Sequence, residues 1–328
     1  MPIESQLATK DETTYGTAVT VDRFQPYISE SLAPETFRTR TPSLRANKST
    51  NRSDEYAAGV TGVAGSLEMP VYSKSFGLWL KRALGAVATT GPTGGAYRHV
   101  GTIDPDACLP SFTTQVNRAL APCASTDGPW TVEGCQVESW ELSISVEEIL
   151  TFSCEIVAED GTSGTALAAA SYSTGMEPLS WAGASLTVAG SALPVMSFSL
   201  KCNNNLKTDR LYLRSNTRRA QSPRDDFPEI TVEFEADFDS WTQFNRAVAE
   251  TASGTQAAVV FTVNAPTAIG TSGTYPGVTI TLPCVDFTEV GVGVGGAEML
   301  TQSITGMVLD NGTDEAISFA YRTSDGTP

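Results

Sequence analysis

The stretch WELSISVEEILTFSCEIVA, residues 140–158, alternates apolar and polar side chains over two adjacent runs. The first run begins at Trp140 and the second at Leu150, with the acidic pair Glu147–Glu148 between them. Successive side chains of a β-strand point to opposite faces, so a period of two predicts two strands that each have one apolar face and one polar face. The short acidic break between them predicts a β-hairpin.

The polar positions of this hairpin carry Ser, Thr and Glu, with no Lys or Arg. Side chains of this kind are expected to meet water, while the alternating apolar residues form the core. The residues predicted to share the polar face are Glu141, Ser143, Ser145, Thr151, Ser153 and Glu155.

The second half of the chain repeats the period of two. Alternating runs lie at residues 196–202, 230–238, 257–263, 278–282, 299–309 and 316–322. Because no regular alternation of strands with helices is present, the pattern predicts a mainly β fold, an antiparallel β-sandwich or barrel. The step Asn311–Gly312 is typical of a hairpin turn. The run 196–202, joined to 230–238, is the predicted companion of the 140–158 hairpin.

Two short stretches have helical spacing instead. Residues Lys74–Leu84 carry an apolar stripe, with Ser73 as the expected N-cap and Gly85 as the expected stop. A second, shorter helix is predicted at Trp241–Ala249, capped by Ser240. Both helices are expected to flank the sheet.

Two segments show no clear helix or strand pattern, and two others are rich in basic residues. Residues 86–130, rich in Gly, Pro, Thr and Ala, predict loops and short edge strands, and together with residues 159–190 they are expected to be surface excursions. A basic arm or loop is predicted at residues 33–55 and a basic loop at residues 206–226. Their cations are Arg38, Arg40, Arg45, Lys48 and Arg52 in the first and Lys207, Arg210, Arg214, Arg218, Arg219 and Arg224 in the second. Each segment is either solvated or docks on an acidic surface of another copy.

The chain has 328 residues, a formal net charge of -16 and a pI near 4.5. Such a charge argues against a protein that wraps nucleic acid by neutralising phosphates. The length permits one domain over residues 1–328, or two duplicated halves at about 1–180 and 181–328. With no long apolar run and no secretory start, the sequence predicts a soluble protein made in the cytosol.

The sequence contains no strong motif for catalysis, cofactor binding or metal binding. The chain has a single histidine, His99, and six cysteines without a CxxC pair, which predicts buried thiols rather than a metal site. Gly291, Gly293 and Gly296 satisfy GxGxxG, but another strand pattern follows where a dinucleotide site needs a helix. The expectation is therefore a protein that is not an enzyme, with no cofactor, no metal and no catalytic residue.

Five segments in this order resemble the tail tube (major tail) proteins of long-tailed bacteriophages. They are ATKDETTYGTAVTVDRFQPYISESL, KSFGLWLKRAL, GCQVESWELSISVEEILTFSCEIVAED, MSFSLKCNNNLKTDRLYLRS and EITVEFEADFDSWTQF, which begin at residues 8, 74, 134, 196 and 229. The resemblance covers residues 8 to about 321. It implies a β-sandwich subunit with a flanking helix that closes into rings, usually hexameric. The rings would stack into a tube that conducts the genome from the head to the cell.

The resemblance also implies the partners. They are further copies of this chain, the tail terminator, tape measure and distal tail proteins, and double-stranded DNA that passes without specific binding. Contact with a membrane is not implied, and the location would be the virion tail, after assembly in the host cytoplasm. In this setting the polar face of the hairpin is expected to line the lumen, and the two basic segments to dock on acidic rims of a neighbouring subunit or ring.

Alternatives remain open at this point. Two duplicated halves would favour trimeric rings over hexamers. Another β-sandwich virion protein, such as a capsid decoration or adhesin, is the next class, followed by a soluble carbohydrate-binding or enzymatic β domain. An adhesin would be expected to expose an aromatic platform, and an enzyme to gather a convergent set of catalytic groups.

Overall fold

In a computed structural model, the chain is described from residue 5 to residue 328 with nine gaps. The gaps are residues 42, 48, 51, 105–107, 120–126, 214–215, 250–255, 271–272 and 293–298.

The described residues form a mainly β protein, as the sequence predicts. Its strands are β1 (Leu7–Asp11), β2 (Arg23–Gln25), β3 (Ser29–Glu30), β4 (Ala33–Arg40), β5 (Tyr56–Pro70), β6 (Gly85–Thr93), β7 (Ala96–Ile103), β8 (Phe112–Asn117), β9 (Pro129–Ser145), β10 (Thr151–Ala158), β11 (Asp160–Thr162), β12 (Ala184–Val188), β13 (Ser191–Leu193), β14 (Val195–Asn203), β15 (Glu229–Asp237), β16 (Ala257–Asn264), β17 (Gly277–Val292), β18 (Thr301–Val308) and β19 (Ser318–Thr323). The helices are α1 (Gly77–Leu84) and α2 (Thr242–Ala247), with a short 3-10 turn at Trp181–Gly183.

The central sheet is built around the predicted hairpin. Its strands lie in the order β5–β10–β9–β14–β15–β18–β17, and all neighbours are antiparallel. The hairpin of β9 and β10 is confirmed, as is its pairing with β14 and, through β14, with β15. Val146 is the exception in the apolar series, since it lies in the turn and is exposed.

A second layer covers the apolar side of the central sheet. Strand β17 belongs to both layers, because its second half pairs with β18 and its first half with β16 and β19. From β17 the second layer continues through β19 and β7 to β6 on one side, and through β16 and β12 to β13 on the other. Phe198 of β14 stacks on Phe261 of β16 with ring centroids 3.9 Å apart, so the two layers are in direct contact.

Helix α1 is confirmed, and it contributes Trp79, Leu80 and Leu84 to the core. Gly85 ends it as predicted, with a φ of 107° that a residue with a side chain adopts at a cost. The predicted start and cap are wrong: the helix begins at Gly77 after Phe76, with no side-chain cap. The Ser73 hydroxyl instead accepts a hydrogen bond from the Glu177 amide at 3.0 Å.

Helix α2 is confirmed in place but is shorter than predicted. Trp241 is its N-cap, and the Ser240 hydroxyl donates to the Thr242 hydroxyl instead of accepting from the helix backbone. Trp241 and Val248, two of the apolar residues at helical spacing in this segment, are exposed and do not pack on the sheet.

The hairpin predicted at Asn311–Gly312 is wrong. The flanking strands do not pair with each other: β18 lies between β15 and β17, and β19 lies between β17 and β7. The Asn311 side chain accepts hydrogen bonds from the amides of Thr313 and Asp314, which makes a local turn inside a longer connection.

Within residues 86–130, the chain contributes more than loops and edge strands. Strands β6 and β7 extend the second layer beside β19, and all residues of β8 are buried. Strand β8 lies between β1 and β9, and the segment around residues 166–168 covers it through hydrogen bonds with Gln115.

Candidate functional site: the polar face of the central sheet

The six predicted polar residues share one face of β9 and β10. Thr151 lies directly opposite Ser143, and Ser153 lies opposite Glu141. All six side chains are half-buried or exposed, whereas Leu142 between them is fully buried. The structure therefore brings together every residue of this prediction, and none of them packs in the core.

The same face continues across the neighbouring strands, and we call this surface the polar face. Its further members are Ser66 and Glu68 on β5, Ser197, Ser199 and Lys201 on β14, Thr231, Glu233 and Glu235 on β15, and Ser303 and Thr305 on β18. These residues were not among the predicted site residues, although the alternation at 196–202 and 230–238 carried the signal. The alternation of polar and apolar residues is less clear in β5, because this strand is rich in Gly and Ala.

Lys201 lies at the middle of the polar face between two carboxylates. Its Nζ is 3.1 Å from Oε2 of Glu233 and 3.9 Å from Oε1 of Glu141. The Ser199 hydroxyl donates to the same Glu141 oxygen at 2.8 Å. The hydrogen bond to Glu233 and the nearby charge of Glu141 raise the pKa of Lys201. Among the described residues of β5, β10, β9, β14, β15 and β18 on this face, Lys201 is the only cation, so the face as a whole is acidic.

The outward side of the second layer has a different character, and we call it the arginine face. Arg98 of β7 and Arg322 of β19 lie directly opposite each other and are its charged residues among those described. Their neighbours in register are small or uncharged: Ala86, Ala88, Thr90, Val100, Thr102, Ser318, Ala320, Gly277, Thr279, Thr281, Ala258, Val260, Thr262, Asn264, Ser185 and Thr187. The two outward faces of the protein therefore differ in sign of charge.

The predicted basic arm at residues 33–55 is the distal part of a hairpin formed by β4 and β5, with Arg40 opposite Tyr56. Consecutive residues at the start of β5 are exposed, as expected for a two-stranded ribbon that leaves the body of the protein. Arg45 is paired with Glu55 at 3.0 Å and Arg52 with Asp54 at 2.7 Å. Arg38 lies over the Tyr56 ring and Arg40 is exposed, while Lys48 lies outside the described residues.

The basic loop between β14 and β15 meets carboxylates of its own chain. Arg218 contacts Glu133 at 2.9 Å and Asp160 at 2.7 Å, and Arg219 contacts Glu35 at 2.7 Å. Of the remaining predicted cations, Lys207 pairs with Asp225 at 2.9 Å, Arg210 lies over the Tyr212 ring, and Arg214 lies outside the described residues. Much of the positive charge of this loop is therefore compensated internally.

The arm and the loop lie at the same end of the central sheet. The hydroxyls of Thr61 on β5 and Thr217 in the loop are 2.9 Å apart, and the Thr61 amide donates to the Thr217 carbonyl at 3.0 Å. The sequence offered no sign of this contact, since 156 residues separate the two threonines. The opposite end of the sheet carries the exposed turn residues Glu147 and Glu148.

The ring of His99, a side chain of a type common in catalysis, makes hydrogen bonds within the fold. The ring of His99 is hydrogen-bonded to the Thr89 hydroxyl at 2.8 Å and to the Asp325 carbonyl at 2.9 Å. Within the described ranges, His, Cys, Asp and Glu side chains form no group that could hold a metal ion, and no helix there is long and apolar enough to cross a bilayer. Gly291 lies in β17, and Gly293 and Gly296 fall outside the described residues.

Comparison with known proteins adds the family. A search of curated proteins returned no match. A family model described as "phage tail tube protein" matches residues 3–308, which include the polar face, the arm and the basic loop. Because that match spans nearly the whole chain, this protein belongs to the phage tail tube protein family, a family of structural proteins of the phage tail.

Proposed function

We propose that copies of this chain close into rings, with the polar face turned inward, and that the rings stack into a hollow tube through which the phage genome passes. The observation that carries this proposal is the continuous polar face, which runs across six strands and has Lys201 as its only cation among the described residues. A sheet with one apolar side and one hydrated side suits the wall of a large water-filled barrel.

The charge of the polar face favours it over the arginine face as the channel wall. DNA phosphates bind to arranged cations and release counterions, so a wall with Arg98 and Arg322 side by side would retain them. A wall carrying Glu141, Glu233 and Glu235 repels phosphates and lets the duplex slide. Every added copy contributes a formal charge of -16, so repulsion grows with ring size.

Stacking requires that one end of the subunit fits the other end of the next. The arm and the basic loop lie at one end of the central sheet, and the acidic turn Glu147–Glu148 lies at the other. Head-to-tail contact between unlike surfaces of this kind propagates into a filament instead of closing a dimer.

We propose six copies in each ring, the usual number in the tail tube proteins that the sequence resembles. The two halves of the chain, residues 1–180 and 181–328, are joined in one sheet, because β14 pairs directly with β9. Three copies in each ring are the expectation if the two halves are duplicated tube units.

The proposed location is the virion tail, after assembly in the host cytoplasm. The proposed partners are neighbouring copies along the tube, the tape measure protein inside it during assembly, and the tail terminator and distal tail proteins at its ends. Double-stranded DNA is proposed to pass through the tube without specific binding.

Negative-stain electron microscopy of the purified full-length protein tests this function. Rings or hollow tubes are the expected result. A protein that stays monomeric at all concentrations and salt conditions, and that also fails to join tubes in infected cells, would overturn the proposal.

A further inference from the structure

An apolar groove opens at the end of the central sheet that carries the acidic turn. Its volume is about 460 Å³, and its walls include Val146, Trp181, Leu193 and Met196. Val146 and Trp181 are 47% and 45% exposed, which is high for large apolar side chains in a soluble protein. The rim next to Val146 is acidic, because Glu147 and Glu148 follow it directly.

Exposed apolar side chains also lie at the opposite end of the sheet. Leu211, Tyr212 and Leu213 follow one another in the basic loop and are 45%, 55% and 110% exposed. The Ala220 amide donates to the Arg210 carbonyl at 3.1 Å, so these three residues lie in the part of the loop that this hydrogen bond closes off.

The loop holds them in a defined place. Arg218 and Arg219 tie the returning part of the loop to Glu133, Asp160 and Glu35. The threonine contact with the base of the arm adds a second attachment. A set of apolar side chains on an anchored loop loses less conformational entropy on binding than the same residues on a free tail.

The groove and the loop are at opposite ends of the same strand. The groove includes Val195 and Met196 at the start of β14, and the loop leaves from Asn203 at its end. Eight residue steps along a strand span roughly 27 Å. A translation along the strand direction therefore carries the loop of one copy toward the groove of the next, and the same contact repeats without limit.

We propose that Leu211, Tyr212 and Leu213 of one copy insert into the groove of the next copy along the tube. This inference rests on the proposed stacking and names its apolar contact. The occupant is a second copy because the fit is both apolar and electrostatic. The guanidinium of Arg210, which lies over the Tyr212 ring and forms no ion pair among the described residues, approaches a rim that bears Glu147 and Glu148.

The first test compares Leu213→Asp with Ala88→Asp, which adds the same charge on the arginine face. Both side chains are exposed, so both variants are expected to fold, as circular dichroism will show. Pelleting assays and electron microscopy give the critical concentration for tubes. Leu213→Asp should raise it about tenfold or more, the factor expected when one buried leucine is lost, and Ala88→Asp should leave it unchanged.

A cross-linking test places the two surfaces against each other. In a background with Cys108→Ser, which removes an exposed thiol, and Cys123→Ser, Leu213→Cys is combined with Ala182→Cys in the groove wall. Mild oxidation of assembled protein should give a ladder of disulfide-linked oligomers. Each single-cysteine variant, and Leu213→Cys combined with Thr187→Cys on the arginine face, should give no ladder.

The outcomes separate this inference from the proposed function. If the unmodified protein forms tubes while Leu213→Asp forms them at the same critical concentration and the cysteine pair gives no ladder, the loop-in-groove contact is wrong and the tube stands. If the unmodified protein forms no tubes at any concentration or salt condition and also fails to join tubes in infected cells, the proposed function itself is wrong.

Discussion

Nζ of Lys201 lies 3.1 Å from Oε2 of Glu233 on the adjacent strand, in the middle of a face that is otherwise acidic or uncharged in the described residues. The contact joins β14 to β15, and the nearby Glu141 carboxylate connects it to β9. An exposed pair of this kind adds little to stability, so its main effect is on the charge of the surface.

Replacing Lys201 with Met should therefore lower the free energy of unfolding by less than about 1 kcal/mol. The pKa of Lys201 is raised in the folded protein by the Glu233 hydrogen bond. Its stabilising effect should be fully present below the ordinary lysine pKa and disappear as the pH rises through the higher folded value. Urea unfolding of both proteins at pH 8 and above pH 10.5 measures the difference; a gap that widens with rising pH would contradict this assignment.

The buried ion pair of Arg82 and Asp11 should matter far more. Arg82 is fully buried, donates to Asp11 at 2.9 Å, and lies over the Phe112 ring. Arg82→Met leaves Asp11 without its buried partner and should cost about 3–5 kcal/mol of unfolding free energy. Lys81→Met is the matched control, since Lys81 also contacts Asp11 at 2.9 Å but has a side chain that is 41% exposed, and it should cost about 1 kcal/mol or less.

The ion pair of Arg82 and Asp11 also predicts that the free energy of unfolding depends on pH in the acid range. Burial alone would raise the pKa of Asp11, but the charges and hydrogen bonds of Arg82 and Lys81 lower it below its ordinary value of 3.8. Its contribution should be present above pH 3.8 and be lost as the pH falls through the lower folded pKa. Unfolding of the native protein and Asp11→Asn between pH 2 and pH 6 tests this; an equal difference across the whole range would contradict it.

Removal of the arm should separate folding from assembly. Deleting residues 38–52 takes away a ribbon whose distal strand residues are exposed, so the body should keep its unfolding midpoint. If the arm docks on a neighbouring subunit or ring, the shortened protein should remain monomeric in analytical ultracentrifugation. Tubes of normal length from this deletion would refute the docking role of the arm.

Reversing the charge of the polar face should slow DNA passage without preventing assembly. Glu155, Glu233 and Glu235 changed together to Lys would place cations where phosphates pass, and release of DNA from triggered virions should slow by roughly tenfold at low salt and recover as salt rises. Ala88, Thr187 and Thr262 changed to Lys add as many cations to the arginine face. That control should release DNA at the normal rate, and equal slowing in both would argue against the polar face as the wall.

Thiol labelling offers a check on the core. Burial raises the pKa of Cys135 and Cys202 to about 12 and raises that of Cys154 as well, whereas Cys108 is exposed. In a Cys123→Ser background, peptide mapping after labelling at pH 8 should find Cys108 modified and these three unmodified until the protein unfolds. Rapid labelling of Cys154 in the native state would contradict the packing of β10.

The strands with one solvent-exposed face were predictable from the sequence. One face of such a strand meets water and the other packs in the core, so polar and apolar residues alternate along it. Strand β8 was not predictable, since its Thr and Gln side chains are buried on both faces and leave no alternation; the side chains of Thr113 and Gln115 are hydrogen-bonded there. The helix cap at Ser73 failed for a related reason: the Glu177 amide, distant in sequence, competes for its hydroxyl.

For the candidate site, the sequence identified the polar residues of β9 and β10 but not how far the face extends. Its width depends on which strands pair with them, and pairing between β5 and β10 leaves no local mark in the sequence. The basic loop shows the same limit. In the sequence its arginines have no evident partner, but in the folded protein Arg218 pairs with Glu133 and Arg219 with Glu35.

The polar face is proposed to line a channel, and a cryo-electron microscopy reconstruction of tubes assembled from the purified protein shows directly which face does so. We expect density for Glu141, Ser143, Ser153 and Glu233 on the lumen wall, with Arg98 and Arg322 away from it. A tube in which the polar face is buried between subunits or turned to the outside would contradict it.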